Sequence, residues 1–111
     1  MDEKTARKLS KGRLPIDARI DLHGMAERQA HNALRRFLER EWHDDSRIVL
    51  VITGKGERSG GILRRAVPRW LAEPPISAIA GSWRQAHPTH GGEGALYVRL
   101  RRRPDRNRTP R

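Results

Sequence analysis

The chain has 111 residues, of which 24 are lysine or arginine and 13 are aspartate or glutamate, so its formal net charge is +11. This length provides one domain with a single modest core, and the positive excess favours a polyanionic partner such as nucleic acid. The absence of cysteine excludes disulfides, thiolate catalysis and cysteine-based zinc sites. No apolar run approaches the roughly 20 residues of a membrane span, and the composition predicts a cytoplasmic protein.

The first half of the chain begins with a polar, basic stretch and then changes to regular patterns. Residues 1–14 show no usable periodicity and are predicted to be a flexible leader. Residues 16–23 alternate between apolar and polar positions, which predicts a half-buried strand. From about residue 26 to residue 43 the apolar residues recur every three or four positions, which predicts an amphipathic helix. The polar face of the predicted strand carries Asp17, Arg19, Asp21 and His23.

A β-branched run, "RIVLVITG", follows the helix and predicts a central strand covered on both sides. Strand, helix and strand make a βαβ unit, so these two strands should be parallel. A second helix is predicted from residue 62 to 71, where Pro68 should interrupt the hydrogen bonding or begin a new helical piece. Strands over 76–83 and 94–100 complete a count of four strands and two helices, within a domain spanning residues 15–102. Residues 103–111 form a basic tail.

One face of the predicted sheet should be covered by helices and the other should be open to a ligand. With both helices on one face, the other face stays open, and strand alternation directs Arg19, Tyr97 and Arg99 toward it. A basic sheet face with a tyrosine is a platform for a nucleic-acid strand, because arginine binds phosphates and an aromatic ring stacks on a base.

Asp21 and His23 are two positions apart near the end of the first strand, so they should project from the same face. The pair is consistent with a base and its orienting partner, with two metal ligands or with an ordinary turn. Spacing alone is a weak signal for choosing among these, because Asp-x-His is common.

The stretch "TGKG", residues 53–56, lies between the central strand and the second helix, where α/β folds place phosphate-contacting loops. Its glycines would let backbone N–H groups approach an anion, and Lys55 would add a charge. The spacing is not that of a Walker motif. The alternative is a tight turn that needs positive φ.

The stretch "HGGEGALYV", residues 90–98, places Gly92 and Glu93 just before the last strand. His87 and His90 are spaced like half of a zinc site. Because a second pair is missing, the sequence does not predict zinc.

Taken together, "IDLHG", then "VITGKG" about thirty residues later, then "PRWL" and "GGEGALYV", resemble the Smr (small MutS-related) domain family over roughly residues 16–101. The resemblance implies a two-layer α/β sandwich similar to the C-terminal domain of translation initiation factor three, with a four-stranded mixed sheet and two helices on one face. It also implies endonuclease activity, with DNA nicking in some members and cleavage of messenger RNA at stalled ribosomes in others. The family's Asp-x-His-Gly motif maps onto residues 21–24 and its Thr-Gly-x-Gly motif onto residues 53–56.

The resemblance and the residues jointly predict a nuclease centre. His23 would act as general base or acid, with Asp21 fixing the tautomer of its ring. The predicted substrate-binding residues are Gly24, Thr53, Gly54, Lys55, Gly56, Arg19, Gly92, Glu93, Tyr97 and Arg99. On RNA the 2′-hydroxyl would be the nucleophile and no cofactor is required. On DNA a water must be activated, which favours Mg²⁺ or Mn²⁺ held by Asp21 together with Glu93.

Two other kinds of function remain open from the sequence. A nucleic-acid-binding module without catalysis would use the same basic face and need neither Asp21 nor His23. An adaptor that docks on the ribosome or on another protein would use its charge only to steer association. In each case the chain is expected to be monomeric.

Overall fold

The computed structural model describes residues 1–56 and 60–104, so most of the predicted basic tail, residues 105–111, lies outside the described part. Within these ranges the α-helices are α1 (Glu3–Ser10), α2 (Glu27–His43) and α3 (Ile62–Leu71), and the strands are β1 (Ala18–Asp21), β2 (Ile48–Ile52), β3 (Ala80–Gln85) and β4 (Ala95–Leu100). No helix in the described part has the length and apolar character needed to cross a membrane.

The four strands form one mixed sheet in the order β1-β2-β4-β3. β1 and β2 are parallel, whereas β4 is antiparallel to both of its neighbours. Asp21 pairs with Ile52, and Ile52 pairs with Ala95. The ends of β1 and β2 and the start of β4 therefore meet at one edge, which we call the site edge. The predicted α/β fold with a four-stranded mixed sheet is confirmed.

Helices α2 and α3 cover one face of the sheet, as predicted. Their apolar stripes pack on the inward residues of the strands in the main core, whose buried members include Leu34, Leu38, Val49, Val51, Val67, Leu71 and Val98. Pro68 lies inside α3 without starting a new helical piece. Because proline has no N–H, it removes one backbone hydrogen bond from this helix, and the buried side chains around it retain the helix.

The opposite face of the sheet is covered by α1, so the expectation of a leader without secondary structure is wrong for residues 3–10. Asp2 caps this helix by accepting a hydrogen bond from the Thr5 amide at 2.8 Å. A helix of this length is marginal in isolation, and its stability here comes from packing. Leu9 is buried against the second apolar cluster, which contains Leu50 and Tyr97. The expectation of an open second face is therefore also wrong.

The third predicted strand begins later than expected. Residues 76–78 form a 3₁₀ turn, and the strand starts at Ala80. Ile76 is buried through this turn, so its apolar character reflects turn packing and not strand alternation. The register shifts between Ala80 and Ser82, which places a bulge at Gly81. Trp83 then packs against the main core.

Candidate active site

Three loops meet at the site edge because of the sheet topology. Residues 22–24 follow β1, residues 53–56 follow β2, and residues 86–94 precede β4. The Leu22 amide donates to the Ile52 carbonyl at 2.8 Å, which extends the parallel pairing to the end of both strands. Carboxyl ends of parallel strands are the usual ligand-binding edge of open α/β sheets. The Asp-x-His-Gly and Thr-Gly-x-Gly stretches thus lie side by side.

Asp21 and His23 form a hydrogen-bonded pair that is open to solvent. One carboxylate oxygen, Asp21 Oδ1, lies 2.6 Å from His23 Nδ1 and also accepts from the His23 amide at 3.0 Å. Burial by itself raises the pKa of Asp21, but the hydrogen bonds from His23 and the charge of its ring outweigh burial and lower this pKa below its ordinary value. An ionised Asp21 requires a proton on Nδ1, which leaves Nε2 of the neutral ring able to accept one.

Gly54 brings the glycine loop directly against the histidine. Its φ of +80° lies in the left-handed region that side chains disfavour. A Cβ atom at this position would lie 3.1 Å from the Cβ of His23. The loop and the ring therefore occupy adjacent space only because residue 54 has no side chain.

Gly94 fixes the glycine loop from the side of β4. Its carbonyl oxygen accepts hydrogen bonds from the amides of Thr53, at 2.8 Å, and of Gly54, at 3.0 Å. A Cβ on Gly94 would lie 2.9 Å from the carbonyl carbon of Gly54. The Gly54 amide is thus engaged within the protein. The amides of Lys55 and Gly56 make no hydrogen bond to any described residue, and Lys55 is exposed.

The loop that carries Gly94 is anchored by the buried side chain of Tyr97. His90 Nδ1 lies 2.6 Å from Tyr97 Oη, which also accepts from the His87 amide at 3.3 Å. Burial raises the pKa of Tyr97 and lowers that of His90, with the charges of Arg19 and His87 lowering the latter further. These directions favour the neutral form of both groups, which share a hydrogen bond. Tyr97 is fully buried, so the prediction that it stacks on a base is wrong.

The two carboxylates expected to hold a metal ion each pair with another side chain. Glu93 is paired with Arg64 of α3 at 2.7 Å, and Asp21 is paired with His23. Residues 1–56 and 60–104 contain no group of three or more His, Asp or Glu side chains placed to bind a metal. Among the described residues, each of the two carboxylates predicted to hold Mg²⁺ or Mn²⁺ thus has another side-chain partner.

The remaining predicted residues divide between the two ends of the sheet. Gly24 follows His23 directly, and Gly92 is buried within the loop before β4. Arg19 is exposed on β1, on the face where its charge acts on His90. Arg99 pairs across the sheet with Ile48, at the start of β2. It therefore lies at the opposite end of the sheet from the catalytic pair, and its predicted contact with substrate would be made away from that pair.

Sequence reasoning did not single out Gly94 or Arg64, and it considered His90 only as half of a zinc pair with His87. Gly94 is in the "GGEG" stretch, and three glycines close together were the available signal for tight backbone contact. The pairing of His90 with Tyr97 could not be found in this way, because it depends on which face of the sheet α1 covers. Arg64 reaches Glu93 from a different element.

Comparisons with known proteins match this architecture and its motifs. The family model of the Smr domain matches residues 20–101. The solved structure of YdaL, a stand-alone small MutS-related protein from Escherichia coli, superposes with a TM-score of 0.73 at 31% identity, covering 92% of this chain and 78% of that one. The Smr domain of Thermus thermophilus MutS2 gives 0.66 at 25% identity, covering 76% of this chain and 98% of the domain.

Two groups of curated relatives carry different names. The probable DNA endonuclease SmrA of Escherichia coli (strain K12) is 34% identical over 99 residues, which cover 86% of this chain and 51% of that protein. The ribosome rescue factor SmrB of Aeromonas hydrophila is 32% identical over 94 residues, covering 85% of this chain and 51% of that protein. The chain spans about half the length of these relatives.

Proposed function

The chain belongs to the Smr domain family, and from this premise we propose that it is an endonuclease that cleaves phosphodiester bonds in DNA or RNA. The observation that carries the proposal is the contact between the Asp21–His23 pair and the glycine loop at Gly54. A relative named as a probable DNA endonuclease and others named as ribosome rescue factors support a role on nucleic acid. The absence of cysteine fits the cytoplasm, where these substrates are found.

His23 is the general base of the proposed reaction. Its Nδ1–H donates to the Asp21 carboxylate, which holds the ring in one tautomer and stabilises the imidazolium that forms after proton transfer. Nε2 is then free to take a proton from a hydroxyl group. The ring is 68% exposed, so a substrate as large as a polynucleotide can reach it.

The anion contacts are supplied by Lys55 and by the amides of Lys55 and Gly56, which have no hydrogen-bond partner among the described residues. The amides of Lys55 and Gly56 would donate to the phosphoryl oxygens, and the Lys55 ammonium would balance the charge that develops in the transition state. The hydrogen bonds from Thr53 and Gly54 to Gly94 have a different role, which is to fix the loop in position. Donors on a fixed loop need little reorganisation during the reaction.

On RNA these residues suffice for a complete reaction. His23 removes the proton of the 2′-hydroxyl, the O2′–P bond forms, and the P–O5′ bond breaks as the leaving oxygen takes a proton from water. The products are a 2′,3′-cyclic phosphate and a 5′-hydroxyl. On DNA the same base would act on a water molecule. In the proposed reaction Asp21 orients His23 and Glu93 is paired with Arg64, so neither carboxylate is assigned to a metal ion.

The test compares the wild-type protein with His23→Ala on matched ribo- and deoxyribo-oligonucleotides, with and without a chelator. The matched control is His43→Ala, which removes an exposed histidine at the end of α2. We expect His23→Ala to lower the cleavage rate by about 10²- to 10⁴-fold, the usual contribution of a general base. His43→Ala should cleave like the wild type.

The products and variants distinguish the alternatives. A 2′,3′-cyclic phosphate formed in chelator supports the route through the 2′-hydroxyl, and cleavage of DNA alone identifies water as the nucleophile. Equal cleavage by the wild type and His23→Ala excludes His23 as the base. If nucleic acid binds but is never cut, the domain is a binding module and the proposal is wrong.

A further inference from the structure

A cleft rich in arginine lies at the end of the sheet opposite the site edge. It has a volume of about 670 Å³ and is formed where β2 begins, where β4 ends and where β3 begins beside the last residues of α2. We call it the arginine cleft, after the side chains that line it: Arg47, Arg99, Arg101, Arg102 and Arg103. None of these residues contributes to the catalytic pair or to the glycine loop.

The charge of the arginine cleft is not neutralised by its own residues. Asp45 is the acidic residue of its lining, and its carboxylate is paired with Arg103 at 3.3 Å. Arg47 and Arg102 are exposed and form no ion pair with any described residue. Several like charges held together without counter-charges favour an anionic ligand.

The backbone beneath these arginines is fixed by hydrogen bonds between different elements. The Leu100 amide donates to the Arg47 carbonyl at 2.9 Å, and the Arg101 amide donates to the Ile79 carbonyl at 2.7 Å. The Trp42 indole N–H donates to the Arg101 carbonyl at 2.7 Å. The side chains therefore project from a rigid surface, which lowers the entropy lost when they bind a ligand.

We propose that the arginine cleft is a second binding site for nucleic acid, which holds the sugar–phosphate backbone away from the bond that is cleaved. The guanidinium group matches phosphate in a bidentate geometry and is its preferred partner among side chains. The sequence that follows the cleft residues is also basic, since residues 105–111 contain three arginines and one aspartate. The role of the arginine cleft as a site that flanks the cleaved bond rests on the proposed function, whereas the binding of nucleic acid to the cleft does not.

The distance between the two sites sets the length of nucleic acid that can use both. The five residues of β2 separate them, which corresponds to roughly 17 Å at about 3.4 Å per residue. A duplex covers this distance in about five base pairs at about 3.4 Å per step. A dinucleotide is too short to contact both sites.

The experiment measures binding in a His23→Ala background, so that the probe stays intact. Fluorescein-labelled 20-nucleotide RNA and DNA, single-stranded and as duplexes, are titrated at several salt concentrations. We expect Arg47→Gln with Arg102→Gln to weaken binding about 10-fold or more at low salt and to lower the slope of log K against log salt by about one to two. Restoring the charge with Arg47→Lys and Arg102→Lys should recover most of the affinity.

The matched control removes two charges elsewhere, with Lys8→Gln on α1 and Arg36→Gln on α2, both exposed and without an ion pair among the described residues. Binding of the cleft variant within threefold of the control overturns the proposal. So does an unchanged affinity for nucleic acid combined with lost affinity for poly-glutamate, which would make the cleft a site for acidic proteins. Cleft-dependent binding without cleavage by the wild type would contradict only the nuclease proposal.

Discussion

At the residue scale, the centre of the site is a contact between a side chain and a backbone. His23 is positioned from one side by Asp21, through two hydrogen bonds to a single oxygen. From the other side it meets Gly54, whose missing side chain leaves just enough space. The orientation of the ring and the path of the glycine loop are therefore coupled, and a change at either one should affect the other.

Gly54→Ala tests this coupling. The left-handed φ of +80° should cost about 1–2 kcal/mol for alanine, and the new methyl group would press on His23. We expect a comparable loss in the free energy of unfolding, measured with urea, together with a fall of about 10-fold or more in the cleavage rate of the folded protein.

Gly12→Ala is the matched control. Gly12 has a φ of +73°, but a Cβ there would meet nothing within 4 Å. It should lose similar stability and keep its cleavage rate. Equal activity of the two variants would show that the space beside His23 does not matter.

At the element scale, helix α1 and the loop that precedes β4 both help to position the candidate active site. Helix α1 covers the second face of the sheet through Leu9, and beneath it the buried Tyr97 holds the loop that precedes β4. That loop ends at Gly94, whose carbonyl fixes the glycine loop. A continuous set of contacts thus leads from the N-terminal helix to the candidate active site.

Leu9→Ala tests whether α1 is packed on the sheet. Leu9 is 1% exposed, and truncating a buried leucine costs about 2–4 kcal/mol. We expect this loss in urea unfolding, whereas Lys4→Ala, an exposed change on the same helix, should stay within about 0.5 kcal/mol of the wild type. If both variants match the wild type, residues 1–14 behave as the flexible leader that the sequence predicted.

The partly buried hydrogen bond between Tyr97 and His90 predicts a dependence of stability on pH. Because burial and the charges of Arg19 and His87 lower the pKa of His90, the unfolded chain binds a proton more readily there than the folded protein does. This contribution to stability is complete above the ordinary histidine pKa of about 6.5 and is lost as the pH falls through the lowered value.

Urea unfolding at pH 7.5 and pH 5.0 measures this contribution in the wild type and in His90→Gln. The wild type should lose more stability than the variant over this interval, since the other ionisable groups are common to both proteins. An identical loss in the two proteins would show that His90 is not coupled to folding.

The elements that the sequence predicted and those it missed differ in a physical way. The βαβ unit was readable because its hydrophobic period changes from two to about 3.6 at Gly24, and a long amphipathic helix carries many apolar positions. Helix α1 has Ala6 and Leu9 as its packed positions, too few to define a period. Its burial, and that of Tyr97, depend on long-range contacts that no local pattern contains. The Asp21–His23 pair was readable because its members are two positions apart in the sequence, although β1 ends at Asp21 and His23 lies in the turn that follows.

At the scale of the whole molecule, the two proposed nucleic-acid sites lie at opposite ends of one sheet. The site edge carries the Asp21–His23 pair and Lys55, and the opposite end carries the arginine cleft. A polynucleotide that contacts both ends would be positioned before its backbone reaches His23. The net charge of +11 attracts polyanions in general, and the two sites would hold a polynucleotide in one defined position.

The proposed mechanism requires His23 and the glycine loop to bind the same phosphodiester group. The most direct measurement is a nuclear magnetic resonance titration with a dinucleotide whose 2′-hydroxyl is methylated, which cannot be cleaved by the 2′-hydroxyl route and is too short to span the two ends. We expect the His23 ring and the Lys55 and Gly56 amides to shift together with one Kd, and Lys55→Ala to weaken both sets of shifts equally. Shifts at the ring without shifts at the amides, or two different dissociation constants, would contradict the proposed mechanism.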